Sequence, residues 1–261
     1  MTPLERLFER DGLPRFGLPA ALAALYGGDF GLARPRVYAN FVSAVDGVVA
    51  LPERGESGAV VSGGSEADRF LMGLLRAAAD AVLIGAGTFR KAQGDLWQPE
   101  AIYPAAGPLF AELRRQLGLR AQPPLVVVTS SGAIDVTQPA LADALILTSP
   151  EGAARLGGSL PAGARLLEID ARPISGRAII ELLRAQGHVR ILTEGGPSLF
   201  GELLSEGQVD ELFLTTSPRL FGRFANDQRK SLVAGRDLGG RALDLASVHR
   251  HGSHLFLRYT L

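Results

Sequence analysis

Glu194 stands between an apolar run, Val189-Arg190-Ile191-Leu192-Thr193, and the pair Gly195-Gly196, with Pro197-Ser198-Leu199 following. This order reads as a strand, a tight turn and the first turn of a helix, where proline is well tolerated. The free N–H groups and positive dipole end of such a helix make a seat for phosphate. Glycine lets a ligand approach the backbone closely. A carboxylate beside an anion seat is electrostatically awkward, so Glu194 is expected to serve a ligand and not the fold. Asp80-Ala81-Val82-Leu83-Ile84, followed by Gly85-Ala86-Gly87-Thr88, repeats the strand-to-turn pattern. The dinucleotide fingerprint G-x-G-x-x-G fails here, because Arg90 holds its last position.

Other residues carry weaker signals. Asp46-Gly47 follows an apolar stretch and reads either as a β-turn or as a carboxylate facing a cleft. Arg76 lies late in an amphipathic helix, where the dipole alone favours it. Thr129-Ser130-Ser131-Gly132 could hydrogen-bond a phosphate or simply turn the chain. His249, His251 and His254 fit no metal-binding spacing, and they read as exposed residues of a hairpin. No metal is expected. A G-x-S-x-G elbow is absent, which leaves a hydrolase triad without an anchor.

These residues need elements to position them. Residues 1–35 read as an N-terminal helical leader, with short helices over Leu4–Glu9 and Pro19–Tyr26. Strands are expected over Arg36–Ser43, 80–84, Leu125–Thr129, Ala144–Thr148, Arg165–Ile169, Val189–Thr193 and Glu211–Thr216. A last pair spans roughly 243–249 and 254–260. Residues 52–64 and 89–124 read as connections, the second carrying a helix over Leu109–Leu119. Helices follow Ser65 (with Asp68 giving a capping-box start), Arg177 and Pro197. The alternation predicts one α/β domain over residues 36–261: a mainly parallel central sheet flanked by helices, with an antiparallel C-terminal edge. His254–Leu261 is expected at that edge.

Composition narrows the function. Hydrophobic residues make up 46% of the 261, enough for a sizeable core, and 27 basic residues balance 27 acidic ones. No general attraction to nucleic acid or anionic lipid follows. The chain has no cysteine, which excludes disulfides, thiolate metal sites and a thiol nucleophile. Only Lys91 and Lys230 are available for lysine chemistry. The charged start, Glu5 to Asp11, is unlike a secretory leader, and no apolar run approaches membrane-span length. A cytoplasmic protein is expected.

Four collinear stretches resemble the reductase domain of bacterial riboflavin biosynthesis. They are Ala39-Asn40-Phe41-Val42-Ser43-Ala44-Val45-Asp46-Gly47, Leu75-Arg76 through Thr88, Thr193–Phe200, and Val209-Asp210-Glu211-Leu212 with Ser217-Pro218-Arg219-Leu220. The resemblance covers about residues 35–260 and is nearest to free-standing homologues without the deaminase domain. It implies a dihydrofolate-reductase-like fold, NADPH as cofactor, a phosphorylated pyrimidine as substrate and a homodimer built on the C-terminal side of the sheet. It further implies that Gly85, Gly87, Thr88, Ser130, Gly195, Gly196, Pro197, Ser198 and Leu199 hold the cofactor. Asn40, Ser57, Arg76 and Glu194 would touch substrate, and Asp46 or Glu194 would move a proton. Three positions depart from the family pattern: Ala44 replaces a frequent Ser, Val48 replaces a basic residue, and Lys91–Trp97 replaces the D-P-x-L-T-x-R run that helps hold the substrate phosphate. A reductase of another heterocycle or carbonyl, or a non-catalytic nucleotide-binding regulator, are the alternatives.

Overall fold

The computed structural model describes residues 1–52, 57–224 and 227–261. Its strands are β1 (Glu5–Glu9), β2 (Arg36–Ala44), β3 (Ala81–Gly85), β4 (Leu125–Thr129), β5 (Leu145–Thr148), β6 (Arg165–Glu168), β7 (Arg190–Thr193), β8 (Glu211–Ser217), β9 (Asp244–His251) and β10 (His254–Thr260). They form one sheet in the order β1-β9-β10-β8-β2-β7-β3-β4-β5-β6. From β8 to β6 every neighbouring pair is parallel. β10, β9 and β1 are joined antiparallel at one side. The parallel part explains the apolar runs, since such strands are covered on both faces.

Alternate strand residues serve the two faces. Val82 and Ile84 pack with α1 (Ala20–Tyr26), α3 (Glu66–Ala78) and α6 (Gly107–Gln116), through Leu22, Phe70, Leu74, Phe110 and Leu113. Ala81 and Leu83 pack with α8 (Gly176–Ala185) and α9 (Pro197–Ser205), through Ile179, Leu183, Phe200 and Leu203. Ser65 caps α3 by accepting from Asp68 N–H at 3.3 Å. The remaining helices are α2 (Ser57–Ser62), α4 (Ala86–Lys91), α5 (Pro99–Ile102) and α7 (Pro150–Leu156).

Three expectations change. Residues 5–9 form a strand, not a helix: five residues are too few to sustain a lone helix, and β9 offers their backbone a partner. α2 and α4 occupy stretches expected to be loops, while residues 53–56 lie outside the described residues. β10 is not the edge. It lies between β9 and β8, and the edge is β1.

Candidate active site

A cavity of about 540 Å³ opens at the carboxyl ends of the parallel strands β2, β7, β3 and β4, where open α/β sheets bind ligands. Each strand delivers side chains to it. β2 contributes Asn40 and Phe41, and β3 turns into α4 through Gly85, Gly87 and Thr88. Ser130 follows β4 directly, and β7 runs into Glu194-Gly195-Gly196-Pro197-Ser198-Leu199. Ser57 and Arg76 reach it from α2 and α3. Thirteen of the fourteen expected site residues therefore share one cavity, and Asp46 is the exception.

The β7–α9 turn is held from behind. Glu194 N–H donates to Leu83 O at 3.0 Å, and Gly195 N–H to Thr193 Oγ1 at 3.2 Å. α9 begins at Pro197 without a side-chain cap, so its first N–H groups are open to an anion. The backbone here is kept bare: a Cβ on Gly196 would stand 3.2 Å from Thr88 Oγ1, and one on Gly195 would stand 2.7 Å from Leu199 Cδ2. The bare backbone, the open N–H groups and the lining hydroxyls of Thr88, Ser130 and Ser198 fit a dinucleotide phosphate.

Glu194 faces Arg76. Arg76 Nε lies 3.1 Å from both carboxylate oxygens and Nη2 lies 2.7 Å from Oε2. The same Nη2 is 3.4 Å from Asp95 Oδ2. Arg76 is 1% exposed, and the Glu194 side chain is 7% exposed. Burial alone would lower the Arg76 pKa, but Glu194 and Asp95 outweigh it and the net shift is upward. This removes the electrostatic puzzle of Glu194: its charge is balanced before any anion arrives. It also corrects the expectation that Glu194 serves only a ligand, because a buried arginine depends on it. Arg76 itself is placed by Arg114, whose Nη1 donates to the carbonyls of Arg76, Ala77 and Ala79 at the end of α3.

Asp46 holds a loop. Its Oδ2 accepts from Phe221 N–H at 2.8 Å and Gly222 N–H at 2.6 Å. Partial burial raises its pKa, but these N–H groups prevail and hold it below the ordinary aspartate value. The carboxylate so engaged lies outside the cavity lining. Its hydrogen bonds fit the turn reading offered by Asp-Gly. The histidines also differ from expectation. His249 is 2% exposed and packs on Tyr26 with ring centroids 4.5 Å apart. His254 Nε2 lies 2.9 Å from Ser62 O, and His251 Nε2 lies 2.9 Å from Thr2 Oγ1.

Several lining residues had not been expected in the site: Asp68, Asp95, Lys91 and Lys230. One signal was available for the last two, since they are the only lysines in the chain. Lys91 Nζ donates to Leu51 O at 2.6 Å, and the backbone of Lys230 pairs with the neighbouring Ala50. Trp97 lines the cavity too, 2% exposed, with the left-handed φ of 52°. Asp95 Oδ1 fixes that turn by accepting from Trp97 N–H at 2.8 Å.

The family model of the RibD C-terminal domain matches residues 35–257. The chain belongs to that family. A curated relative from Archaeoglobus fulgidus, 2,5-diamino-6-ribosylamino-4(3H)-pyrimidinone 5′-phosphate reductase, is 27% identical over 195 residues, covering 72% of this chain and 83% of the relative. Among solved structures, a pyrimidine reductase-like protein from Corynebacterium diphtheriae superposes with a TM-score of 0.68 at 23% identity, covering 94% of this chain and 95% of the other. The riboflavin biosynthesis reductase Rib7 of Saccharomyces cerevisiae gives 0.58 at 14% identity, with the same two coverages of 94% and 95%. The mainly parallel sheet with its antiparallel side is the fold of these RibD-family structures.

Proposed function

We propose that this protein is an NADPH-dependent reductase that converts a ribosylaminopyrimidine 5′-phosphate to its ribitylamino product. One observation carries the reading: in a RibD-family chain, an uncapped helix start and the Arg76–Glu194 pair face the same cavity. Gly85, Gly87, Thr88, Ser130 and Gly195–Leu199 would hold the cofactor. Bound NADPH would supply a hydride. The chain's own residues orient the substrate: Asn40, Ser57, Arg76 and Glu194 present polar groups, and Phe41 and Trp97 add apolar surface. Lys91 and Lys230 would replace the cations lost at Val48 and in the missing phosphate-holding run.

A second reading rests on Asp95. It stands in the segment that replaces that run, and it places a second carboxylate on Arg76. Such a guanidinium has less charge to offer a phosphate, which favours a reductase of another heterocyclic substrate. Oxidation of NADPH on adding the ribosylaminopyrimidine phosphate, with the ribitylamino product identified by mass, supports the first reading. Oxidation only with an unphosphorylated heterocycle or carbonyl supports the second.

We further propose a homodimer. Phe8, Leu245 and Leu255 are exposed, and by register they share the face of the sheet that α8 and α9 leave uncovered at its antiparallel side.

A further inference from the structure

Asp68 is a buried carboxyl that the fold does not explain. It lies in the first turn of α3, is 4% exposed, and lines the cavity. A carboxyl at this position usually closes a capping box by accepting from the N–H of the capping residue. Here the box is half made: Asp68 N–H donates to Ser65 Oγ, and among the described residues the Ser65 N–H does not donate back to the Asp68 carboxylate. The side chain faces the cavity instead.

Four carboxylates line that cavity: Asp68, Asp95, Glu194 and Glu202. Three are held by arginine, Asp95 and Glu194 by Arg76 and Glu202 by Arg236. Asp68 has no such ion pair among the described residues. The groups facing it come from every packed element. Arg69 follows it on α3, Glu194 follows β7, Thr215 lies on β8, and His254 opens β10. Arg69 Nη1 is turned to Gly64 O, and His254 Nε2 to Ser62 O. The Thr215 hydroxyl offsets part of the effect of burial on the carboxylate, and His254 and Arg69 offset less. Burial therefore dominates, and it pushes the Asp68 carboxyl up to about 6. The cavity thus holds three carboxylates fixed as arginine partners and one carboxyl, Asp68, that burial makes a weaker acid than an ordinary aspartate.

We propose that Asp68 donates the proton in the reduction. The inference rests on the reductase reading above. The ribose ring of the ribosylamine opens as the C1′–O4′ bond breaks and the amine proton passes to O4′, which leaves a C1′=N imine; C1′ then accepts the hydride, and the C=N π pair moves onto nitrogen. That nitrogen takes the Asp68 proton, so C=N becomes CH–NH. The electron pair comes from bound NADPH, which is thereby oxidised to NADP⁺. The Asp68 carboxylate regains its proton from water.

Asp68→Asn keeps the size and removes the proton. We expect kcat/KM to fall about 10²-fold, in the range of general acid catalysis, with NADPH affinity unchanged. The wild-type rate should fall as pH rises above about 6, and the Asn variant should lose that dependence. Asp68→Glu, which keeps a carboxyl, should recover part of the loss. Infrared difference spectra of the free protein should show a protonated carboxyl titrating near pH 6 that disappears in Asp68→Asn. Turnover by Asp68→Asn near the wild-type rate with an unchanged pH profile overturns the assignment and leaves the substrate reading intact. A wild type without turnover overturns the substrate reading. The infrared titration then decides on Asp68, and a carboxyl already ionised at pH 4 refutes it. If Asp68→Asn does not fold, the Glu variant decides by the same profile and band.

Discussion

Glu194→Gln separates a structural from a catalytic glutamate, and the structure changes what it should do. The glutamate balances an arginine that is 1% exposed, through contacts of 3.1, 3.1 and 2.7 Å. Stripping one partner from a buried ion pair costs about 3–5 kcal/mol. Gln keeps one acceptor oxygen, and Asp95 remains 3.4 Å from Arg76, so the loss belongs below that range. We expect about 2 kcal/mol, close to one charge-assisted hydrogen bond. In a chain of this size that lowers Tm by about 4–8 °C. The residual positive charge now faces the cavity, so NADPH affinity should hold or rise slightly. Turnover should still fall about 10²-fold, because the oriented carboxylate is gone. Calorimetry, NADPH titration and steady-state kinetics on one preparation give the three values. An unchanged Tm refutes the buried-pair argument, and a kcat/KM within twofold of wild type refutes the substrate role.

Other perturbations test other parts. Gly196→Val should fold, because rotation of Thr88 relieves the 3.2 Å contact of the new Cβ, but its methyl groups would occupy the phosphate seat. NADPH affinity should drop at least about tenfold, a cost of roughly 1–3 kcal/mol of overpacking, and unchanged titration curves would remove the seat. Burial lowers the His249 pKa from 6.5 to about 4, so the unfolded chain binds the proton first as pH falls. That histidine should cost about 3 kcal/mol of stability between pH 6.5 and pH 4, and His249→Gln should remove this slope; parallel melting curves against pH would contradict it. Leu255→Glu should convert the proposed dimer to a monomer in light scattering at micromolar concentration, and a wild type that is already monomeric ends that proposal.

The site was legible where its signal was local. Thr193–Leu199 names a strand end, a turn and a helix start within one short stretch, and Ser65 with the apolar face of α3 marks the helix that carries Arg76. What could not be read depended on distant partners. Arg76 and Glu194 are 118 residues apart, so nothing local says that each balances the other. Asp46 stayed open between a turn and a cleft carboxylate because its partners, Phe221 and Gly222, lie more than 170 residues away. Residues 5–9 are short and mixed in polarity, and their conformation comes from β9, near the other end of the chain. His249 reads as a surface residue until Tyr26 covers it. Asp68 was visible as a helix start, yet its second face became apparent only when β8 and β10 packed beside it.

The proposed reaction is a hydride transfer to a phosphorylated ribosylaminopyrimidine in the β2–β7–β3–β4 cavity. Its most direct test is single-turnover mass analysis with NADPH deuterated on its reacting carbon. We expect one deuterium at C1′ of a ribitylamino product, NADPH consumed in equal amount, and clearly weaker activity with NADH. NADPH that binds at the cavity but is never oxidised by this substrate, or deuterium found only in the product of an unphosphorylated compound, would contradict it.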